Sequence, residues 1–548
     1  MIRTLCLGFD GATPQLLFPW IEQGRLPNLA SLCSRAAWGP LRSTFPAMTL
    51  PAWSSFLTGT EPGVHGIFDF TRREPGSGRL CIVDARDRAV PTIPHLLSER
   101  GHRVGTFLFP TTWPPEPLSG GQISGFDSPV ATEVPPEACA PPELYALTKR
   151  VLGRPLSFAA FSELRKGRDW EERAAAALLR GIEDKERVAL ALLADSEPYD
   201  FFALLFGESD TVSHHFWHLA DPLSPRHDPE LAPRFADLIG RVYERLDEVL
   251  GRLLAADPGF ESVIIASDHG FGGSSDRVLH LNAFLAKTGF LSWRHGGHRV
   301  SLRGVRDRVA RWAPPAALEQ AVRLLPNRFV AAADAQVRYG AIDFSGTQVF
   351  SDELDYAPSL WLNLEGRDPE GIVPAGGAGA AQRSEIVERL ERTLLDWRDP
   401  TDGARIVRGL VPRDAVASGP CLDRAPDFYL DLERPGGYSY NLLASRPGGP
   451  VTARLPRSGW RGAKGAGMPG SHREDGIYFL AGPGIPPGRR PTEIAAVLPL
   501  WLEGQGMSDL LRGEEAGPGP SQQAAEVLAS GAGRADLLQR LERLGYLR

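Results

Sequence analysis

Cysteine is scarce. The 548 residues hold five (Cys6, Cys33, Cys81, Cys139 and Cys421), odd in number, scattered and without a CxxC pair, which argues against a disulfide framework or a cysteine zinc site. Lysine is equally rare, with five (Lys149, Lys166, Lys185, Lys287 and Lys464) among 60 basic residues. No positive excess exists either: 60 Lys and Arg stand against 67 Asp and Glu, a formal net charge of −7, so no nucleic-acid polymer is expected as partner. Long apolar runs are missing too. Phe201 to Phe206 falls far short of the roughly 18 residues of a membrane span, and no membrane partner is expected. The first residues run straight into a strand-like stretch without an apolar leader or cleavage site, and a cytoplasmic enzyme is expected.

What is present is a chain of ordinary globular composition, 42% hydrophobic and 23% charged. Short apolar runs alternate with longer helical patterns, the mark of a mostly parallel central sheet with helices on both faces. The expected strands are Thr4 to Phe9, Val104 to Phe109, Phe201 to Phe206, Ser262 to Ser267 and Ile477 to Ala481. Apolar residues recur at three or four from Phe235 to Leu253, and a second such pattern spans Glu172 to Ala194; both read as core-facing crossover helices. An Arg-rich stretch with a Pro-Pro break at 314 and 315 interrupts the pattern. The expected organisation is therefore a discontinuous catalytic core over 1–285 and 349–490, an inserted cap over 286–348, and a helical tail over 491–548 that packs on the core or pairs subunits into a homo-oligomer. A further helix is expected after Ser384, with Leu390, Leu394 and Leu395 on it.

Polar residues follow the strands: Asp10 the first, Asp210 the third, and Asp268-His269 the fourth. In open α/β sheets ligands gather outside the carboxyl ends of the strands, so these groups are placed to converge. Singly, each fits a plainer role: Asp10-Gly11 a turn, Asp268-His269-Gly270 a loop, Asp210 and His214 one polar helix face. Together, carboxylates and imidazoles make a donor set for zinc, manganese or iron. His472, in the glycine-bounded polar loop Gly470 to Gly476, offers a sixth ligand. Six ligands are too many for one ion, and two groups of three leave open positions of the kind catalytic metals need.

A nucleophile candidate lies in Thr49-Leu-Pro51-Ala-Trp53-Ser-Ser-Phe-Leu-Thr-Gly59. The placement of Thr, Pro and Gly matches a helix with its cap, early proline and terminal glycine, and one reading makes Thr49 a simple N-cap. The other uses the free amides and positive end of the helix to favour a Thr49 alkoxide and hold phosphate oxygens, with a directly bound metal lowering the hydroxyl pKa.

Six stretches taken in order, Gly8-Phe-Asp-Gly-Ala, Thr49 to Gly59, Gly63-Val-His-Gly-Ile, Asp210-Thr-Val-Ser-His214, Ser267-Asp-His-Gly-Phe and Gly470-Ser-His-Arg-Glu-Asp-Gly, resemble the alkaline phosphatase superfamily on its type I phosphodiesterase/nucleotide pyrophosphatase branch. The likeness extends over roughly residues 1 to 485. It implies an alkaline phosphatase-like fold and a phosphoester hydrolase with a phosphothreonine intermediate. One metal would be held by Asp210, His214 and His472 and a second by Asp10, Asp268 and His269, with Thr49 beside both; zinc leads among the candidate ions.

The departures bear on substrate. Nucleotide pyrophosphatases carry a phosphate-holding Asn shortly after the His-Gly pair, where this chain has Phe70. The sulfatase signature is absent from Thr49 to Trp53. Phosphodiesterase or pyrophosphatase action on a small phosphoester is the leading expectation. The same ligand set also fits a phosphomonoesterase or phosphomutase, and a non-catalytic, metal-stabilised interaction protein is the rival from another class. His215, His218 and His280 are further candidates near the site; His65 is expected to be structural.

Overall fold

Thr4–Phe9 (β1) and Phe201–Phe206 (β6) are buried at every position, as continuous apolar strands covered on both faces must be. In the computed structural model, which describes residues 3–77, 80–126, 133–157, 169–194, 197–294, 338–353, 358–461 and 467–512, they lie side by side in a ten-stranded mixed sheet. The other labelled strands of that sheet are Ala36–Arg42 (β2), Val104–Phe107 (β3), Gly121–Ile123 (β4), Cys139–Ala140 (β5), Ser262–Ala266 (β7) and, after two strands outside it, Asp475–Ala481 (β10). Spatially the path runs β2, β10, β7, β1, β6, β3, β4, β5. The five central strands β7, β1, β6, β3 and β4 are parallel, and β10 and β2 extend them antiparallel.

Register decides where the site forms. Phe9 pairs with Phe206 and Gly8 with Ala266, so the residues following β1, β6 and β7 leave the sheet at one edge. Because β10 runs antiparallel to β7, its start lies at that same edge, and the preceding strand Gly470–Arg473 (β9) is delivered there. There β9 pairs antiparallel with Gly270–Leu279 (β8), Phe271 opposite His472.

Crossover helices cover the sheet. They include Thr49–Thr58 (α1), Trp170–Leu193 (α2), Glu208–Ala220 (α3) and Leu238–Ala256 (α4). The periodic residues Leu238, Ile239, Val242, Leu246, Val249, Leu250 and Leu253 of α4 are all buried, so the 3.6-residue pattern faces the core as expected. Their apolar cluster is continuous with that of the strands.

Four expectations are corrected in detail. The strand from Val104 stops at Phe107, because Leu108 turns to φ 69° and breaks the extended run. The segment around His472, expected as a loop, contains β9; its pairing with β8 comes from a partner two hundred residues away, which no local pattern reveals. The helix expected after Ser384 begins at Ala380. Thr49 is the first helical residue of α1 rather than its cap, which is Met48.

Beyond Leu279 the chain builds a second apolar cluster. Val349–Phe350, Ser359–Leu362, Phe428–Leu432 and Val407–Pro412 form a separate four-stranded antiparallel sheet, with the helix Ala380–Leu395 (α5) packed on it. Of the Arg-rich stretch only the flanks are described, where Ser292–Trp293 pairs with Ile342–Asp343; Arg299, Arg303, Arg306, Arg308 and Arg311 lie outside the described residues, as do Leu537, Leu538, Leu541 and Leu544 of the expected tail helix. Among the described residues, no helix is long and apolar enough to cross a membrane.

Candidate active site

Asp10 follows β1, and the chain turns at Gly11, whose φ is +65°. A Cβ at Gly11 would stand 2.8 Å from the Phe271 ring and 3.0 Å from the Asp210 Cα, so only glycine permits this approach of the β1 turn to α3. Asp210 lies in the first turn of α3 and His214 one turn further along the same face. Asp268 and His269 occupy the bend between β7 and β8. His472 sits in β9, whose Gly470 allows the backbone to pass the Ser213 carbonyl where a Cβ would clash at 2.2 Å. All six side chains, and Thr49, are buried.

They converge. Asp210, His214 and His472 each offer one donor atom, all within 4.8 Å of one another, and so do Asp10, Asp210 and His269. Asp210 thus belongs to both groups: its Oδ1 is 3.2 Å from His214 Nε2, 3.6 Å from His472 Nε2 and 3.9 Å from His269 Nε2. Asp268, expected in the second group, stands beside it. Its Oδ2 is 3.3 Å from His269 Nε2, and its Oδ1 accepts the Gly11 amide at 3.1 Å.

The hydrogen bonds set the tautomers. His214 donates from Nδ1 to the Gly470 carbonyl at 3.1 Å, His269 to the Gly270 carbonyl at 3.0 Å, and His472 to the Ala47 carbonyl at 2.9 Å. A carbonyl only accepts, so each Nδ1 carries a proton, and in the neutral form of each ring the Nε2 lone pair turns inward. That is the usual arrangement of metal-ligating histidines. Burial, then the neighbouring His472, holds His269 well below the usual imidazole range, and burial brings His472 down to about 4. Burial and then the Asp10 charge push the Asp268 carboxyl well up. Lone pairs and carboxylates crowded this closely repel one another, and divalent cations relieve that repulsion. The donor set therefore fits the metals that the resemblance implies.

Thr49 points its Oγ1 at His269 Nε2, 3.5 Å away. Its place at the first helical position, with no side-chain cap on α1, removes the plain structural explanation for its hydroxyl. The first amides of a helix have no intrahelical acceptor, so those of Thr49 and Leu50 are available to an anion. Four residues on, one turn along α1, Trp53 donates from Nε1 to Asp10 Oδ2 at 3.2 Å. Sequence reasoning missed this contact, although the i, i+4 spacing from Thr49 was its signal. It also missed Ser209, whose Oγ donates to the Asp10 carbonyl at 2.6 Å, and Ser267, which accepts the Ala12 amide at 2.8 Å and donates to the His269 carbonyl at 2.7 Å.

The remaining candidates fall elsewhere. His280 caps the helix Leu281–Lys287 and donates from Nδ1 to the carbonyls of Leu443 and Ala444. His215 packs edge-on against Trp170, and His218 is buried on the same helix, its carbonyl accepting from His227 Nδ1. His65 accepts the Ile67 amide at Nδ1 and donates from Nε2 to Ser55 Oγ at 2.9 Å, bracing α1 from behind. Phe70 joins Met48, Leu50 and Ile67 in a small apolar cluster beside the start of α1.

A mixed α/β sheet with carboxylates and imidazoles converging beyond its strand ends defines the alkaline phosphatase-like class of phosphoester hydrolases. The chain belongs to the type I phosphodiesterase/nucleotide pyrophosphatase family, whose model matches residues 4–364. Among solved structures it resembles phosphonoacetate hydrolase from Sinorhizobium meliloti 1021 in complex with phosphonoformate, with a TM-score of 0.52 at 16% identity over 92% of this chain and 96% of that one. The same enzyme with phosphonoacetate gives a TM-score of 0.50 at the same identity and coverage. Murine ectonucleotide pyrophosphatase/phosphodiesterase 5 gives 0.43 at 12% identity, over 94% of this chain and 96% of that one. No curated protein matches the sequence.

Proposed function

We propose that this protein hydrolyses small phosphodiesters in two steps, with Thr49 as nucleophile and two divalent metal ions, zinc foremost, in the buried cluster. Asp210, His214 and His472 would hold one ion; Asp10, His269 and Asp268 the other, with Asp210 close to both and Thr49 beside it. When bound, such ions supply Lewis-acid polarisation of phosphoryl oxygens and lower the pKa of a nearby hydroxyl.

The chain's own groups do the rest. Thr49 Oγ1 attacks phosphorus, forming the threonine ester as the leaving ester oxygen departs with the electron pair and takes up the proton Thr49 loses. The amides at the start of α1 receive the phosphoryl oxygens. Water then attacks the phosphothreonine, the Oγ1–P bond breaks, and the hydroxyl is restored. Trp53 fixes the Asp10 carboxylate and the three carbonyls fix the imidazoles, so the site needs little reorganisation during reaction.

The observation that carries this reading is the Thr49 hydroxyl, buried, free of a capping role and 3.5 Å from His269 Nε2. The test is Thr49→Ala assayed with bis-p-nitrophenyl phosphate beside p-nitrophenyl phosphate, with metal content measured on the same sample. Loss of turnover at unchanged metal content supports the reading; full activity toward both esters refutes it. We further assign residues 1–285 and 349–490 to a catalytic core, 286–348 to a cap and 491–548 to a tail, and a cytoplasmic location.

A further inference from the structure

A groove opens directly beside the cluster. Its walls are Phe45 to Ala47 on one side and Leu430 to Arg434 on the other, and His472 and Glu474 lie between them. It shares two parts with the active site: His472, and the Ala47 carbonyl that accepts from His472 Nδ1. Phe45 and Ala47 precede Thr49 on the same segment, so the groove lies on the nucleophile's flank. In an in-line displacement the leaving oxygen stands opposite the attacking one. An opening beside the nucleophile therefore receives the substituent that stays on phosphorus.

The lining states what that substituent is. Phe45 is partly exposed, its ring held edge-on by Tyr429 at 5.7 Å, and presents an apolar flat surface. The charges do not favour an anion. Asp431, Glu433 and Glu474 line the groove against Arg434 and Arg473, and both cations are engaged. Arg434 forms a two-pronged ion pair with Glu474. Arg473 spends its guanidinium on Ser439 Oγ and on the carbonyls of Gly273, Gly437 and His472. Asp431 and Glu433 face Arg408 at 3.4 and 3.5 Å, so the charges around the groove are already engaged, and a substituent with its own negative charge would have to displace one of these contacts to find a partner.

Resting on the proposed phosphodiesterase activity, we infer that the groove between Phe45 and Arg434 is the subsite for the retained ester arm, and that it selects uncharged arms with a flat apolar face over anionic ones. The preferred substrate class is a diester whose retained arm is uncharged; diesters whose retained arm carries a carboxylate are disfavoured.

The test is kcat/KM on p-nitrophenyl phosphodiesters that share the leaving group and differ in the second arm: methyl, phenyl or 2-carboxyethyl. The wild type prefers phenyl over carboxyethyl by about tenfold or more. In Phe45→Ala and Phe45→Leu the phenyl-to-methyl ratio falls by about tenfold, mainly through KM. In Glu474→Gln, which releases Arg434, the carboxyethyl penalty shrinks. Unchanged arm ratios in the Phe45 variants, or a wild type that accepts the carboxyethyl arm as readily as phenyl, overturns the inference. Failure of the nucleophile reading looks different: Thr49→Ala would keep its rate on every ester, whatever the arm ratios.

Discussion

His214 Nε2 and His472 Nε2 face one another at 3.1 Å, while each ring donates from Nδ1 to a backbone carbonyl. Two inward lone pairs at hydrogen-bond distance make sense around a shared cation, with Asp210 Oδ1 completing the group. The first prediction follows. Elemental analysis of protein purified in replete metal finds close to two divalent ions per chain, chelation abolishes turnover, and His214→Ala lowers the bound metal. Less than one ion per chain contradicts the paired site.

Thr49→Ala is expected to lower kcat by at least about a thousandfold, the scale on which removal of a covalent nucleophile acts. Thr49→Ser, which keeps an oxygen at the start of α1, is expected to retain part of the rate. Steady-state assays with metal content monitored separate a lost nucleophile from a collapsed site.

Trp53→Phe removes the Nε1 hydrogen bond to Asp10 Oδ2 while keeping a ring among Phe56 and Phe109. A partner that orients a metal ligand is worth about 10- to 100-fold in affinity or activity. Metal titration of the variant should show weakened binding of one ion; unchanged affinity and rate would make the contact incidental.

Lys185 and Glu208 form a buried ion pair at 2.8 Å, with both side chains 7% exposed. Glu208 begins α3 two residues before Asp210, so the pair ties the α3 end of the site to α2. Lys185→Met leaves a buried carboxylate alone and should cost about 3–5 kcal/mol of stability, whereas Lys185→Met with Glu208→Leu should recover much of it. Denaturant unfolding of the single and double variants measures both.

His65 gives a pH dependence. Burial, then the Arg88 charge, lowers its pKa from 6.5 to about 3, so in the folded protein it stays neutral where the unfolded chain takes up a proton. The stabilisation is complete above pH 6.5 and is lost as pH falls toward 3, at up to about 1.4 kcal/mol per pH unit. His65→Gln should flatten that slope in unfolding experiments between these pH values; an unchanged slope refutes the assignment.

The central sheet was legible because β1 and β6 are uninterrupted apolar hexapeptides and α4 keeps its period over five turns, signals that local chemistry imposes. Asp10, Asp210, Asp268 and His269 were legible as strand-end residues. Their convergence with His472 was legible only through the family resemblance, since it depends on β10 running antiparallel to β7 and on the pairing of Phe271 with His472, both products of tertiary contact. The hydrogen bonds from Nδ1 to carbonyls, and Trp53 on Asp10, were invisible for the same reason. Thr49 was ambiguous because a cap and a nucleophile share one local pattern; the position of Met48 as the cap removes the first of these readings.

The most direct test of the account is the stereochemical course at phosphorus, followed with a diester made chiral at that atom and hydrolysed in heavy-oxygen water. Two successive in-line displacements, the first by Thr49 Oγ1, predict overall retention. Inversion would mean that water attacks the substrate directly and would contradict the proposed role of Thr49.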